Sequence, residues 1–166
     1  MRVILVLHII LLTATVDRAC AQLPAVDVTA RQIDEFIDGL PRDAISDRPI
    51  RVVDAGSHHV GVYGVFRPGD LNGDAIAHEV NTSEIYYILS GGGTLVTGGT
   101  LISPTRATPE ATSVRGSAIE GGVSRRIAAG DVVVIPGGVP HWWQQLDGDL
   151  EYLIFRPDPD RRISVR

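Results

Sequence analysis

The chain has almost no sulfur and no long apolar run. Cys20 is its only cysteine in 166 residues, so no intramolecular disulfide can form and stability has to come from a packed core. The most apolar stretch, Val3 to Leu12, is too short to span a bilayer. Basic runs are also missing. Apart from the pairs Arg125-Arg126 and Arg161-Arg162, basic residues are dispersed, and the formal net charge is −5. A surface of that sign argues against nucleic acid as a partner. No internal repeat is visible, and the length suits one domain plus a leader.

The leader is read from the first residues. Met1 and Arg2 precede the apolar run, and the small-residue pattern Ala19-Cys20-Ala21 stands before Gln22. Together these have the form of a secretory signal peptide over residues 1–21. Asp17 occupies the place, three residues before Cys20, where a lipoprotein signal carries an apolar side chain. The expectation is therefore cleavage without lipidation, a secreted or periplasmic protein, and no membrane contact after cleavage. Cys20 is lost with the leader, and so are Arg2, Arg18 and Asp17, which makes the remaining chain slightly more acidic.

Residues 22–49 form an N-terminal helical segment. Thr29-Ala30-Arg31-Gln32 has the pattern of a capping box, Ile33, Phe36, Ile37 and Leu40 follow at helical spacing, and Gly39 and Pro41 close the run. From residue 50 the punctuation becomes that of strands. Ile50 to Val53, Val60 to Phe66, Ile85 to Leu89, Thr94 to Val96, Val132 to Ile135 and Leu150 to Phe155 are short, rich in Val, Ile, Tyr and Phe, and bounded by Gly, Pro, Asn or Asp. Many short strands with glycine-rich turns predict an all-β sandwich or barrel over residues 50–160, with 161–166 as a tail. Between the fourth and fifth of these strands, residues 97–129 are rich in Thr, Ser, Pro and Gly, and a long loop is expected near 103–115.

Two stretches carry the chemistry. Residues 78–91 read HEVNTSEIYYILSG, and residues 130–145 read GDVVVIPGGVPHWWQQ. In the first, His78, Glu84 and Gly91, and in the second, Gly130, Pro136, Gly138 and His141, fall at the spacings of the paired signature of the cupin superfamily, which the chain resembles. Gln145 stands where that family usually has asparagine, and Val80 replaces its second histidine. The resemblance implies a single-domain cupin, a jelly-roll-type antiparallel β-barrel of six to eight strands behind a short N-terminal helix. It also implies a metal site on His78, Glu84 and His141.

Two imidazoles and one carboxylate are a donor set for one divalent transition metal, with Fe, Mn and Zn all accommodated. Strand alternation, in the absence of a bulge, places Val80 with His78, Tyr86 and Ile88 with Glu84, and Trp143 and Gln145 with His141. Those five residues are the expected wall of a substrate pocket, with Trp142 assigned to inter-sheet packing. Of His58 and His59 only one can face inward, and His59 is the candidate extra ligand. Arg125, Arg126, Arg156 and Asp131 could anchor an anionic ligand, but solvated positions and local ion pairs are their simpler reading. Two functions stay open: a metal-dependent oxidoreductase of dioxygenase type, with isomerase or lyase chemistry as variants, and a noncatalytic module that binds a small molecule or sugar. In either case the partner is a small-molecule ligand. The family resemblance admits a homodimer through sheet edges.

Overall fold

The computed structural model describes residues 24–166; the expected leader, 1–21, lies outside them. The helix α1 (Ala30–Asp38) forms where the capping box requires, with Thr29 and Gln32 bonded reciprocally. No helix among the described residues is long and apolar enough to cross a membrane.

Twelve strands follow, more than the six to eight expected. Most belong to two five-stranded antiparallel sheets. The first runs β1 (Ser46–Asp54), β2 (His59–Arg67), β12 (Leu150–Asp158), β4 (Glu84–Ser90), β10 (Val132–Ile135). The second runs β7 (Ser113–Gly116), β3 (Ala75–His78), β11 (His141–Leu146), β5 (Gly92–Thr97), β9 (Val123–Ala128). The excess comes from the Thr- and Ser-rich segment after β5. There β6 (Thr100–Ile102) and β8 (Ala118–Glu120) pair as a small ribbon, and β7 joins β3. Residues 113–115, expected in the long loop, are therefore part of the second sheet.

The sheets face each other and bury one core. Tyr63, Val65, Tyr86, Ile88, Ile135, Tyr152 and Ile154 enter it from the first sheet, and Leu95, Ile127, Trp143 and Leu146 from the second. This is the sandwich form of a jelly roll, and it explains the alternation in β12. Leu150, Tyr152 and Ile154 point inward and are at most 1% exposed. The helix lies on the outer face of the first sheet, where Ile37 and Leu40 pack on Phe66. Gly64 permits that approach, since a Cβ there would come within 2.9 Å of both Phe36 and Ile37.

Both ends of the β domain differ from the sequence boundaries. Strand β1 begins at Ser46, ahead of residue 50. The segment read as a tail is docked: the backbone of Arg166 pairs with that of Val52 in both directions, at 3.1 and 3.2 Å. Ile163 donates its N–H to the buried Asp158 carboxylate at 2.7 Å.

Gly91, the last residue of the first motif, sits where the chain crosses from β4 in one sheet to β5 in the other. Its φ is +77°, and a Cβ there would lie 2.2 Å from the carbonyl oxygen of Asp149. Gly91→Ala combines left-handed strain with a backbone clash and is expected to cost at least about 2 kcal/mol. A urea unfolding midpoint equal to that of the parent would show that this crossing can widen freely.

Candidate metal centre

Three strand ends meet at one mouth of the sandwich. His78 closes β3, Glu84 opens β4 and His141 opens β11. The turn Pro136-Gly137-Gly138-Val139 delivers His141. Val139 N–H returns to Pro136 C=O at 3.2 Å, and Gly138 takes the φ of +80° that the third position of such a turn demands. Gly138 N–H also donates to the His78 carbonyl at 3.0 Å, which ties the turn of the second motif to the strand end of the first. The motifs are adjacent for that reason, with the His78 and His141 ring centroids 5.5 Å apart.

One ligand atom from each of His78, Glu84 and His141 lies within 4.8 Å of the others, and this is the only such group among the described residues. His141 Nδ1–H donates to the Val139 carbonyl at 3.0 Å, since a carbonyl can only accept. In the neutral ring Nε2 is then a bare lone pair, and it stands 3.2 Å from Glu84 Oε2. Two acceptors at that separation need a proton or a cation between them. His78 is arranged in parallel, with Nδ1 bonded to Ser113 Oγ at 2.8 Å and Nε2 3.6 Å from Glu84 Oε1. Burial lowers the His78 pKa more than the Glu84 charge raises it, which favours the neutral, ligating form. The donor set and the fixed tautomer fit a divalent metal.

The sequence did not reveal what else holds Glu84. Arg156 donates its Nε–H to Glu84 Oε1 at 2.8 Å, with Nη2 2.6 Å from the same oxygen as an ion pair, and its two Nη atoms donate to Asp47 at 3.1 and 2.6 Å. Arg156 also lies over the Tyr63 ring, 4.1 Å from its centroid. The Tyr86 hydroxyl donates to Glu84 Oε2 at 2.9 Å. Burial alone would raise the Glu84 pKa, but a hydrogen bond with His141, which requires a proton between the two atoms, and the Arg156 charge outweigh it and hold the carboxyl well below its usual range. For Arg156 burial opposes the charge, and Asp47 and Glu84 raise its pKa above an already high value. Arg156, read from sequence as a solvated position or a local ion pair, is thus an ion-paired residue inside the site. Alternation in β12 carried the signal, because Arg156 continues the inward series Leu150, Tyr152, Ile154. Asp47 and Ser113 gave no comparable signal.

The Asp47–Arg156–Glu84 bar lies between two clefts, both of which it lines together with His78. One, of about 440 Å³, is also lined by Tyr63, Val80, Thr82, Thr112, Arg162 and Ile163. The other, of about 390 Å³, extends past His141 and Tyr86 to Tyr152, Arg67 and Arg115. Val80 and Tyr86 thus reach the clefts as expected. Val80 does so from an irregular stretch, because β3 ends at His78.

Five assignments need correction. Ile88 shares its face with Glu84 but lies four residues deeper, about 13 Å along the strand, sealed in the core at 1% exposure. Trp143 is likewise core, at 2%, with its Nε1 unpartnered, while Trp142 bonds the Gly73 carbonyl outside the inter-sheet core. A bulge at Gln144 shifts the register between Trp143 and Gln145 and turns Gln145 out to solvent. His59 donates Nδ1–H to the Ile163 carbonyl at 2.7 Å and lines neither cleft, so it is no extra ligand.

No family model matches the chain, and no curated protein does. Solved structures are similar to it, two of them described as cupins. The DMSP lyase DddQ of Ruegeria pomeroyi shares 17% identity, with 86% of this chain and 79% of that one covered, at a TM-score of 0.46. The protein TT1209 of Thermus thermophilus shares 13% over 75% and 92% of the two chains, at 0.47. A cupin-family protein with a double-stranded β-helix fold from Methanocaldococcus jannaschii shares 19% over 72% and 88%, at 0.42. The jelly-roll description itself rests on the strand order given above.

Removing Arg156 leaves Glu84 buried beside Asp47 with no counter-charge. Arg156→Met is expected to destabilise the metal-free protein by about 2 to 4 kcal/mol, mostly through Glu84 because Asp47 remains partly in water. Chemical denaturation in the presence of a chelator measures this. A loss below about 0.5 kcal/mol would mean that the bar contributes no more than a surface pair.

Proposed function

We propose that this chain holds one divalent transition metal on His78 Nε2, Glu84 and His141 Nε2, and that it is an oxidoreductase of dioxygenase type acting on a small organic molecule. The observation that carries the reading is the His141 tautomer, whose bare Nε2 faces a carboxylate oxygen at 3.2 Å. Iron, manganese and zinc all accept this donor set. An ion bound there supplies Lewis acidity and, if it is iron or manganese, one-electron chemistry.

The residues of the chain have separable tasks in this reading. Ser113 and the Val139 carbonyl aim the two imidazoles. Tyr86 holds Glu84 Oε2, and Arg156 draws on Glu84 Oε1, which weakens that oxygen as a donor. Val80 keeps an apolar surface where a fourth ligand would otherwise come, so more positions stay open to water or substrate. The expected leader adds export to this reading, with the mature chain starting at Gln22. N-terminal sequencing of the exported protein checks that start, and a sequence beginning at Met1 would exclude it.

A second reading, a noncatalytic small-molecule binder, draws on one observation: Glu84 is already paired with Arg156. An ion must then compete with a guanidinium for part of its carboxylate. The two readings separate in oxygen uptake by iron- or manganese-loaded protein over a panel of small organic compounds, which only the enzyme shows.

Protein purified without an affinity tag should carry close to one equivalent of metal by elemental analysis, and His141→Ala should lose most of it. Equal metal content in parent and variant would remove the site. Val80→His adds an imidazole at the wall of the cleft shared with His78 and Glu84, and it should tighten metal binding while destabilising the metal-free form by about 1 to 3 kcal/mol through a buried, unpaired polar group. Equal shifts of thermal midpoint with and without metal would show that position 80 does not reach the ion.

A further inference from the structure

The second cleft holds one arginine that has no carboxylate of its own. Six charged side chains line it: Asp47, Asp74, Glu84, Arg67, Arg115 and Arg156. Arg156 is taken by Glu84 and Asp47, and Arg115 faces Asp74 at 3.9 Å. That leaves Arg67, for which no carboxylate comes within ion-pair distance among the described residues. Its Nε donates to the Tyr152 hydroxyl at 3.0 Å and its Nη1 to the Asn72 carbonyl at 3.2 Å. Two of its five N–H groups are thereby used, both on neutral oxygens.

The position of Arg67 is not that of a surface arginine. It closes β2 on the inward-facing series Tyr63, Val65, Arg67, and its side chain is half-buried. Tyr152, which accepts from it, is fully buried and keeps its own hydroxyl proton with no acceptor among the described residues. Arg67 and Tyr152 thus line the same cleft as His141, Glu84 and His78. A partly desolvated guanidinium with free N–H groups beside an unspent phenol donor is a planar donor set, and a carboxylate is its complement.

We infer that Arg67 and Tyr152 form the subsite for the carboxylate of the substrate, and that the ligand of this cleft is a small carboxylic acid bound with its anionic end on Arg67 and its remaining atoms toward His78, Glu84 and His141. The cleft volume of about 390 Å³ suits a ligand of that size. This assignment names the substrate class of the proposed metal site and rests on that reading for its catalytic meaning, but the anion subsite consists of the chain's own residues and can be tested without metal.

The test uses full-length mature protein stripped of metal, with malonate and its neutral diamide, malonamide, as probes in isothermal titration calorimetry. Malonate should bind, malonamide should bind at least about tenfold more weakly, and Arg67→Gln should weaken malonate by at least about tenfold. Arg125→Gln, on an exposed arginine of the second sheet remote from this cleft, should leave malonate affinity unchanged. Should Arg67→Gln fail to fold, Tyr152→Phe takes its place, because it removes the phenol donor and keeps the ring; malonate affinity should again fall several-fold. Absent malonate binding, equal binding of the diamide, or parental affinity in both Arg67→Gln and Tyr152→Phe would overturn the subsite. Metal content of the parent and Arg67→Gln proteins as purified, before the ion is stripped, gives an independent reading. If the variant's equals the parent's while malonate binding is lost, both proposals stand; if neither parent nor variant carries metal while malonate binding still depends on Arg67, the metal reading falls and the anion subsite remains.

Discussion

Everything at the mouth of this sandwich is organised around one carboxylate. Glu84 is 3% exposed and cannot be charged there without partners. It has four: Arg156 and His78 on Oε1, Tyr86 and His141 on Oε2. Those partners come from four strands in both sheets, β12, β3, β4 and β11. The site therefore also cross-links the sandwich at its open end, where the apolar core gives way to the clefts. The carboxylate is held deprotonated by this set, as a metal ligand must be.

The sequence disclosed the parts of this arrangement that depend on short-range rules. Motif spacing located His78, Glu84 and His141, and the turn chemistry around Gly138 explains why those positions converge. Period-two alternation placed Tyr86 beside Glu84 correctly. It failed for Ile88 and Trp143, because alternation gives the face and not the depth: both point inward, but two to four residues further along, where the sheets close on one another. It failed for Gln145 because one extra residue, Gln144, reverses the face of everything after it, and no local signal announced that bulge. Val80 reached the cleft although the strand expected to carry it ends at His78.

Long-range pairing was the least legible. Asp47 lies 109 residues before Arg156, which grips it, and Ser113 stands 35 residues after His78, inside what composition marked as a loop. Side chains that meet only after the sheets assemble leave no periodic trace. Arg156 and Arg67 are intermediate cases. Each continues an inward series of apolar residues on its strand, and a charged residue in phase with a core face calls for a partner inside. For Arg156 the partners are Glu84 and Asp47. For Arg67 the protein provides only neutral oxygens.

That difference between the two arginines bears on how a three-ligand site can function. With neutral imidazoles, Glu84, Asp47 and Arg156 together sum to one negative charge, and a divalent ion would turn that into one positive charge. In the proposed reading Arg156 would weaken the hold of Glu84 on such an ion and Val80 would supply no fourth donor, so the three residues would hold it with positions left open. With an ion held on His78, Glu84 and His141 the cleft would be net positive and would favour an anionic ligand. Arg67 adds a second positive charge farther along the same cleft wall and leaves its donors unspent. The features that make the centre a weaker metal cage than a four-ligand site are the same ones that make the cleft a better receptor for a negatively charged ligand.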